Sequence, residues 1–597
     1  MREFSTPATY EIPSTGNLTD DVVRNATETP RQVVFSRPGP GGAWLGVTAA
    51  EFLAEVTAVA KGLIASGVGP GDRVALLSKT RYEWTLLDYA IWFTGAVTVP
   101  IYETSSSEQI GWILQDSGAV AIIAESADHV ARINESRPNL PYLNNVWSID
   151  DNAVELLVKL GVDISDHNLE MRRTTATPSS LATLIYTSGT TGRPKGCILT
   201  HGNFMAEAGA VLKDLDALFS IEGASTLLFL PLAHVFARVI QVGAVKSRTR
   251  LGHTPDIKNL VDDLGVFKPT FVLAVPRVFE KVYNTASQKA AADGKGAIFD
   301  RATDVAIAYS RATEKGSAPI LLKAQHALFS KLVYGKLLAA LGGNCQFAVS
   351  GGAPLGDRLG HFFRGIGVTI LEGYGLTETT AALTVNLPHA LKIGTVGRPV
   401  SGTAVRVADD GELLFKGGQV FHGYWNNEAA TKDALEADGW FHTGDIGEVD
   451  DEGFVKITGR KKEILVTAGG KNVAPAVLED RLRAHVLVDQ CMVVGDGQPF
   501  IAAIVTIDPE SLPAWAEAHG KPARIEQLVN DPDLRSEVQK AVDDANKAVS
   551  KAEAIRKFVI IPDAWTEEGG QITPSLKLKR NVVMREHSAD VDALYRR

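Results

Sequence analysis

Thr187-Ser188-Gly189-Thr190-Thr191-Gly192-Arg193-Pro194-Lys195-Gly196 gathers three glycines, four hydroxyls, an arginine and a lysine into ten residues. Small residues let a backbone approach a ligand closely, and amide and hydroxyl donors suit phosphate oxygens. The apolar run Leu181-Ala-Thr-Leu-Ile-Tyr186 before it reads as a buried strand, and Cys197-Ile-Leu-Thr200 after it as a second. The loop therefore joins two strands. A Walker loop needs Gly-Lys-Ser/Thr opening a helix. Here Arg193-Pro194 separates Gly192 from Lys195, and no helix begins at the lysine. The plain alternative is a glycine-rich turn with a solvated lysine; the cluster of hydroxyls favours a phosphate cradle.

Upstream of this loop, helix and strand patterns alternate. Phe52, Val56, Val59 and Leu63 share one helical face, ended by Gly67 and Gly69. Arg73 to Ser78 reads as a strand, Arg81 to Gly95 as a helix and Ala96 to Tyr102 as a strand. Ser105 and Glu108 suggest a capping box before Ile110 to Leu114. Val120 to Ala124 is strand-like again. Such alternation predicts a layered α/β architecture with largely parallel sheets.

Downstream, strand signals at Thr226 to Leu230, Thr270 to Val275, Gln346 to Val349 and Val368 to Leu371 each run into an unusual loop. Ligands of open α/β sheets sit outside the carboxyl ends of strands. That rule gathers His234, Pro276-Arg277, Ser350 to Ala353 and Gly373 to Glu378 at one crevice. Residues 281–342 are helix-rich and read as an insertion without strands. Within them, Pro319 to Leu341 is amphipathic, with Lys323, Lys331 and Lys336 among leucines. Packing against the core is the expected use of that stripe; a membrane surface is the alternative.

Toward the carboxyl end, Gly444 to Val449 and Phe454 to Thr458 read as a hairpin closed by Asp450 to Gly453. Beyond Gly459-Arg-Lys-Lys462 the pattern restarts, with a helix from Pro475 and strands at Gln490 to Val494 and Ile501 to Thr506. A boundary near 460 is expected.

At 597 residues the chain should hold more than one domain. A net charge of −10 offers no general attraction for nucleic acid, and none is expected as a partner. Three scattered cysteines, Cys197, Cys345 and Cys491, make neither a metal spacing nor a disulfide framework and suit a reducing cytoplasm. Met1 to Pro7 lacks the apolar core of a signal peptide. No apolar run is long enough to span a bilayer, so at most peripheral membrane contact is expected.

Seven motifs fall into one order: TSGTTGRPKG (187–196), PLAHVFAR (231–238), SGGAPL (350–355), GYGLTET (373–379), WFHTGD (440–445), GRKKEI (459–464) and TPSLKLKR (573–580). Together they closely resemble the adenylate-forming superfamily of acyl-CoA synthetases, adenylation domains and luciferases, from about residue 20 to the end. The stretch from Asp438 to Asp445 through Arg460 to Glu463 looks most like long-chain fatty acyl-CoA synthetases. Val275 to Glu280 and the helical insertion point the same way.

The resemblance implies a large N-terminal domain over 1–459, a hinge at 460–462 and a small, mobile α+β C-terminal domain over 463–597. It implies ATP and CoA as cosubstrates, a long-chain fatty acid and Mg²⁺. Acyl-AMP and pyrophosphate form first; CoA then gives acyl-CoA and AMP. Because both reactants of the first half carry negative charge, catalysis must rest on positioning and charge neutralisation.

By the same resemblance Thr187, Ser188, Gly189, Thr190, Thr191, Gly192 and Lys195 would hold phosphates. Glu378 would bind Mg²⁺, and Thr190 would join it in catalysis. Gly351, Gly352, Ala353, Tyr374, Gly375 and Thr377 would line the adenine, with Asp445 and Arg460 at the ribose. His234 would gate the acyl site, Lys462 would be the hinge, and the loop through Gly469 and Gly470 would face CoA. Lys577 is the best match to the catalytic lysine. The family's glycine before it is a leucine here, so Lys579 stays open as the alternative.

Three rivals share the fold, two of them enzymes. A fatty acyl-AMP ligase loading a carrier protein typically has an extra segment near the hinge, which is absent between Arg460 and Gly470. An aryl-acid ligase fits the long insertion poorly. A non-catalytic lipid-binding scaffold, from another class, would not need Lys195, Glu378 and Asp445. Chain length and oligomeric state are not written in these motifs.

Overall fold

The computed structural model describes residues 2–187, 193–255, 259–573 and 577–596. Contacts divide the chain into two compact units: residues 1–406, 414–443 and 449–455 form the first, and 407–413, 444–448 and 456–597 the second. The strands Ala404–Val407, Glu412–Lys416, Phe441–Val449 and Val455–Arg460 contain the points where the chain passes from one unit to the other.

In the first unit a six-stranded sheet runs in the order Asn145–Ser148, Ala121–Ala124, Arg73–Leu77, Val97–Ile101, Leu181–Thr187, Lys195–Thr200. All neighbours are parallel except the last pair. Helices cover both faces, so both are apolar. Val74, Leu76, Ile123 and Ile185 pack into one core cluster, while Ala75, Leu77, Ile122 and Leu184 pack into another. This period of two explains why the strands read as unbroken apolar runs.

A second sheet aligns Phe271–Ala274, Phe347–Ser350 and Thr369–Leu376 in parallel, then adds Ala381–Val385 and Arg398–Pro399 antiparallel. A third joins Ser225–Leu228, Arg250–His253, Val33–Pro38 and Trp44–Thr48. Mixed α/β layers are thus observed as the sequence predicts.

Three expectations need correction. Gly373 to Leu376 is not a loop after a strand but the end of the strand itself, because Ala381–Val385 folds back to pair with it. The capping box lies one residue later: Ser106 Oγ accepts from Gln109 N–H at 3.3 Å, and Gln109 Oε1 accepts from Ser106 N–H at 3.0 Å. The stripe from Pro319 to Leu341 is only half core. Tyr334, Leu337 and Leu341 are buried, yet Ile320 and Leu321 are 87% and 71% exposed, and Leu328 and Leu332 are 55% and 54% exposed. The helix Gly296–Glu314 covers only one side of it, so leucines on the other side meet solvent.

The second unit centres on the sheet Val488–Val494, Ile501–Ile507, Ile555–Ile561. Cys491, Val493, Ala503 and Val505 face one core cluster; Met492, Val494, Ala502 and Ile504 face another. Helices Pro475–Arg483 and Pro532–Asn546 pack on the first. All three cysteines are buried free thiols. Among the described residues, no helix is long and apolar enough to cross a membrane.

Candidate active site

Leu181–Thr187 and Lys195–Thr200 pair antiparallel down to Thr187 opposite Lys195, which delivers both ends of the glycine-rich loop to one point. Ser188, Gly189, Thr190, Thr191 and Gly192 lie outside the described residues. Both flanks are fastened by aromatic side chains. Trp112 donates its indole N–H to Pro194 O at 3.0 Å and lies 4.7 Å beneath the Arg193 guanidinium. Trp425 donates its backbone N–H to Gly196 O at 2.7 Å and its indole N–H to Asp116 O at 3.0 Å. Asp116 in turn accepts the Tyr186 hydroxyl at 2.6 Å.

Lys195 and Glu378 meet across one ring. The Lys195 ammonium lies 4.5 Å from the centroid of Tyr424, whose hydroxyl donates to Glu378 Oε1 at 2.8 Å. Burial, and then the Glu378 charge, push the Tyr424 phenol well above its ordinary value, so it stays a donor. Phe421 N–H also binds Glu378 O at 2.7 Å. The result is a half-buried carboxylate and an ammonium separated by a fixed aromatic spacer. Cys197, beneath them, is a thiol held neutral by burial and by Glu378.

Backbone geometry supports the Glu378 turn. Thr380 and Ala381 have φ of 52° and 92°, unusual for residues with side chains. The surroundings hold this strained turn. Thr380 Oγ1 donates to Gln419 O at 2.7 Å, and Ala382 N–H donates to Glu207 Oε1 at 2.7 Å. Glu207 is fully buried, and burial raises its pKa well above the ordinary carboxylate value, which favours the neutral acid. Its Oε2 has no partner among the described residues. Gly375 is required here: a Cβ would lie 1.4 Å from Ala381 O.

The other predicted adenine residues gather beside this turn. A Cβ on Gly351 would sit 3.6 Å from the Phe236 ring and 3.7 Å from Gly373 O; Gly352 has φ of +84°. Tyr374 packs 6.0 Å from the Phe415 ring. Thr377 opens the short turn that carries Glu378. His234 caps the helix Val235–Ser247, its Nδ1 accepting from Phe236 N–H at 3.2 Å.

That helix is tied to the helix Tyr82–Phe93 by a fully buried ion pair, and to the strand before the loop by a hydrogen bond from the same arginine. Arg238 donates to both oxygens of Asp88 at 2.6 and 2.9 Å and to Thr183 Oγ1 at 2.6 Å. Asp88 also accepts from Thr98 at 2.7 Å and Gln241 at 2.8 Å. Thr85 Oγ1 joins Gln241 to His253 Nε2. Burial lowers the His253 pKa to about 3, so the ring is neutral.

In the second unit Asp445 is buried, with Arg460 Nε 3.2 Å from its Oδ1. Lys461 pairs with Asp410 at 2.5 Å and Glu412 at 3.0 Å, while Lys462 is exposed in the turn Lys461–Glu463. Gly469 and Gly470 form an exposed turn closed by Gly470 N–H to Thr467 O at 2.8 Å. Lys577 is exposed; its N–H donates to Thr573 Oγ1 at 3.0 Å. Lys579 is half-buried and precedes the helix Arg580–Glu586. Arg580 serves the fold, binding Glu479 and Val493 O at 2.6 Å each.

A family model described as AMP-binding enzyme matches residues 22–425, and one described as AMP-binding enzyme C-terminal domain matches residues 462–597. The chain belongs to the AMP-binding enzyme family. It is 52% identical to the long-chain-fatty-acid–CoA ligase FadD15 of Mycobacterium tuberculosis, over 100% of both chains. It is 31% identical to the peroxisomal long chain acyl-CoA synthetase 7 of Arabidopsis thaliana, over 95% of this chain and 85% of that one. Among solved structures, O-succinylbenzoate CoA synthetase of Bacillus subtilis with ATP and magnesium ion matches with a TM-score of 0.67 at 21% identity, covering 94% of this chain and 98% of that one. A Mycobacterium tuberculosis fatty acyl CoA synthetase matches with a TM-score of 0.62 at 24% identity, covering 96% and 99%. The fold is that of adenylate-forming enzymes, a large N-terminal and a small C-terminal domain.

Within this AMP-binding fold, Tyr424, Trp425, Trp112, Asp116 and Glu207 escaped the sequence reading. Gly423-Tyr-Trp-Asn426, an aromatic pair behind a glycine and before a helix, was the available signal for the first two.

Proposed function

We infer that the chain is a long-chain fatty acid:CoA ligase that works through acyl-AMP. The observation that carries this reading is the Lys195–Tyr424–Glu378 arrangement, in a chain that matches a ligase of that name end to end. A cation and a carboxylate held apart by a buried phenol suit a triphosphate and its metal better than they suit an acyl nucleophile.

The donor set fits Mg²⁺. This ion keeps several waters and takes one or two carboxylates plus phosphate oxygens. Glu378 is such a single carboxylate, with Tyr424 occupying only one of its oxygens, and no group of three or more acidic, His or Cys ligands occurs among the described residues. When bound, Mg²⁺ supplies charge neutralisation between phosphate oxygens.

In the first half-reaction the fatty acid's carboxylate oxygen bonds to the α-phosphorus of ATP while the bond to the bridging oxygen breaks, releasing pyrophosphate. Lys195 and the hydroxyls of 187–191 hold the leaving group. Tyr374 and Gly351 to Ala353 orient the adenine, Asp445 with Arg460 orients the ribose, and Lys577 stabilises the α-phosphate. In the second half, the CoA sulfur bonds to the acyl carbon, the bond to AMP oxygen breaks, and the thiol proton leaves. The small domain turns about Lys462 between the halves, bringing Gly469 and Gly470 to the thiol's approach. His234 gates the acyl site. The protein acts in the cytoplasm with peripheral membrane contact, where long acids collect.

Pyrophosphate release across fatty acids of varied length, with and without CoA, tests the reading. Acyl-CoA should form only when CoA is present. Acyl-AMP that accumulates despite CoA would favour a fatty acyl-AMP ligase instead. Lys577→Ala should abolish adenylation yet spare thioesterification of supplied acyl-AMP; near-normal adenylation would move the role to Lys579.

A further inference from the structure

We propose that the outer face of the helical segment Ile320 to Ala340 docks on an anionic lipid bilayer. Its inner side is pinned. His326 stacks on Tyr309 at 3.9 Å and its Nε2 binds Gly365 O at 2.6 Å, while the buried Tyr334 hydroxyl donates to Ala302 O at 2.7 Å. These contacts fix the rotation of the helix, so its other face is presented permanently.

That face is apolar and exposed. Ile320 and Leu321 are 87% and 71% exposed, Leu328 55% and Leu332 54%. Leu321, Leu328 and Leu332 recur at seven and then four residues, which stacks them on one side, with Ile320 and Ala324 beside them. Singly exposed leucines are ordinary, but four large aliphatics along one helix side are not scattered.

The π-helical turn Ser330–Tyr334 adds a residue to the winding. It lets Tyr334 and Leu337 turn inward while Lys331 and Lys336 remain exposed.

Charge selects the partner. From Lys315 to Gly356 the sequence has four lysines and no acidic residue, in a chain of net charge −10. Lys323, Lys331 and Lys336 are all exposed around the leucines. The helix packed behind, Gly296–Glu314, brings Asp300, Asp304 and Glu314, and Glu314 is taken by Arg364 at 3.0 Å. Exposed leucines bordered by lysines match the acyl and headgroup layers of an anionic interface. The proposal rests on the fatty-acid reading only for its purpose: a long-chain acid partitions into the bilayer on which this face would sit.

The test is co-sedimentation of the full chain with vesicles of phosphatidylcholine, with or without phosphatidylglycerol. Binding should need phosphatidylglycerol and weaken with salt. Lys323→Gln/Lys331→Gln/Lys336→Gln should weaken it on the order of a hundredfold and remove the salt dependence. Leu321→Ser/Leu328→Ser/Leu332→Ser should lose binding at every salt concentration. Unchanged melting checks that both variants fold.

Wild-type protein that ignores both vesicles, or binding untouched in both variants, would overturn the proposal. So would a concentration-dependent dimer abolished by the leucine variant, which would give the face to a second copy of the chain. Pyrophosphate release from a soluble medium-chain acid without vesicles should match wild type in all variants. Its absence from wild type would instead defeat the ligase reading and leave the vesicle result standing.

Discussion

Two helices of the first unit mix basic and apolar residues and end up in opposite environments. Val235–Ser247 carries Arg238 in the middle of the core, fully buried against Asp88 and 5.1 Å from the Trp92 ring. Ile320–Phe329 carries Lys323 in the open and buries no residue fully. Hydrophobic periodicity alone does not separate them. What separates them is whether the cation finds a desolvated carboxylate. Asp88 offers one from the buried middle of the helix Tyr82–Phe93, and the planar guanidinium can use both its oxygens. No acidic residue near Lys323 in sequence plays that part, and the lysine stays with solvent.

The largest effect should come from breaking the buried pair. Arg238→Met leaves Asp88 ionisable, buried and without its cation. The expected cost is about 3–5 kcal/mol in chemical denaturation, since desolvation is no longer offset. Adding Asp88→Leu should restore part of it. Recovery is incomplete because Thr98, Thr183 and Gln241 lose their partners. A single variant as stable as wild type would mean the pair is not desolvated, and the contrast between the helices would collapse.

Next in size is the response to acid. Burial holds His201 and His253 at pKa values of about 3, against 6.5 in the unfolded chain. Burial raises Glu207 above its ordinary 4.5. Depressed histidines stabilise the fold above 6.5 and lose that contribution as pH falls, because only the unfolded chain binds their protons. The raised acid acts oppositely, its contribution fading as pH rises past 4.5. Below pH 6.5 the unfolded chain therefore gains two histidine protons that the fold does not take up, while above 4.5 the fold holds the Glu207 proton more tightly than the unfolded chain does. From the two histidines stability should fall by up to about 2.8 kcal/mol per pH unit below 6.5, with Glu207 opposing part of that fall above 4.5. His253→Gln should remove about 1.4 of that slope. Parallel pH profiles for variant and wild type would show that His253 carries a proton in the fold.

The fold was largely legible because strands buried on both faces leave continuous apolar runs, as Arg73–Leu77 and Leu181–Thr187 do. Local chemistry was ambiguous where two readings fit equally. Ser105 with Glu108 and Ser106 with Gln109 both spell a capping box, and only the second closes. Long-range pairing was illegible: nothing in Gly373 to Leu376 announces the strand Ala381–Val385 that folds back on it. For the same reason Lys195 and Glu378 were recognisable from their motifs, whereas Tyr424, which joins them, was not. Its role exists only in the packing.

The smallest expected effect sharpens the comparison from the exposed side. Leu328→Ser removes a side chain that is 55% exposed. It should shift stability by no more than about 0.5 kcal/mol, as surface changes usually do. Serine lowers helix propensity by only a few tenths of that unit. Thermal melting of the variant at low protein concentration measures it. A loss well above 1 kcal/mol would mean that the leucine is covered in solution, by the chain or by a second copy. A negligible loss accompanied by weaker vesicle binding would mean that the leucine contributes nothing to folding and is useful only at an interface. The buried arginine is the reverse case: fully buried against Asp88 and Thr183, it contributes to the fold.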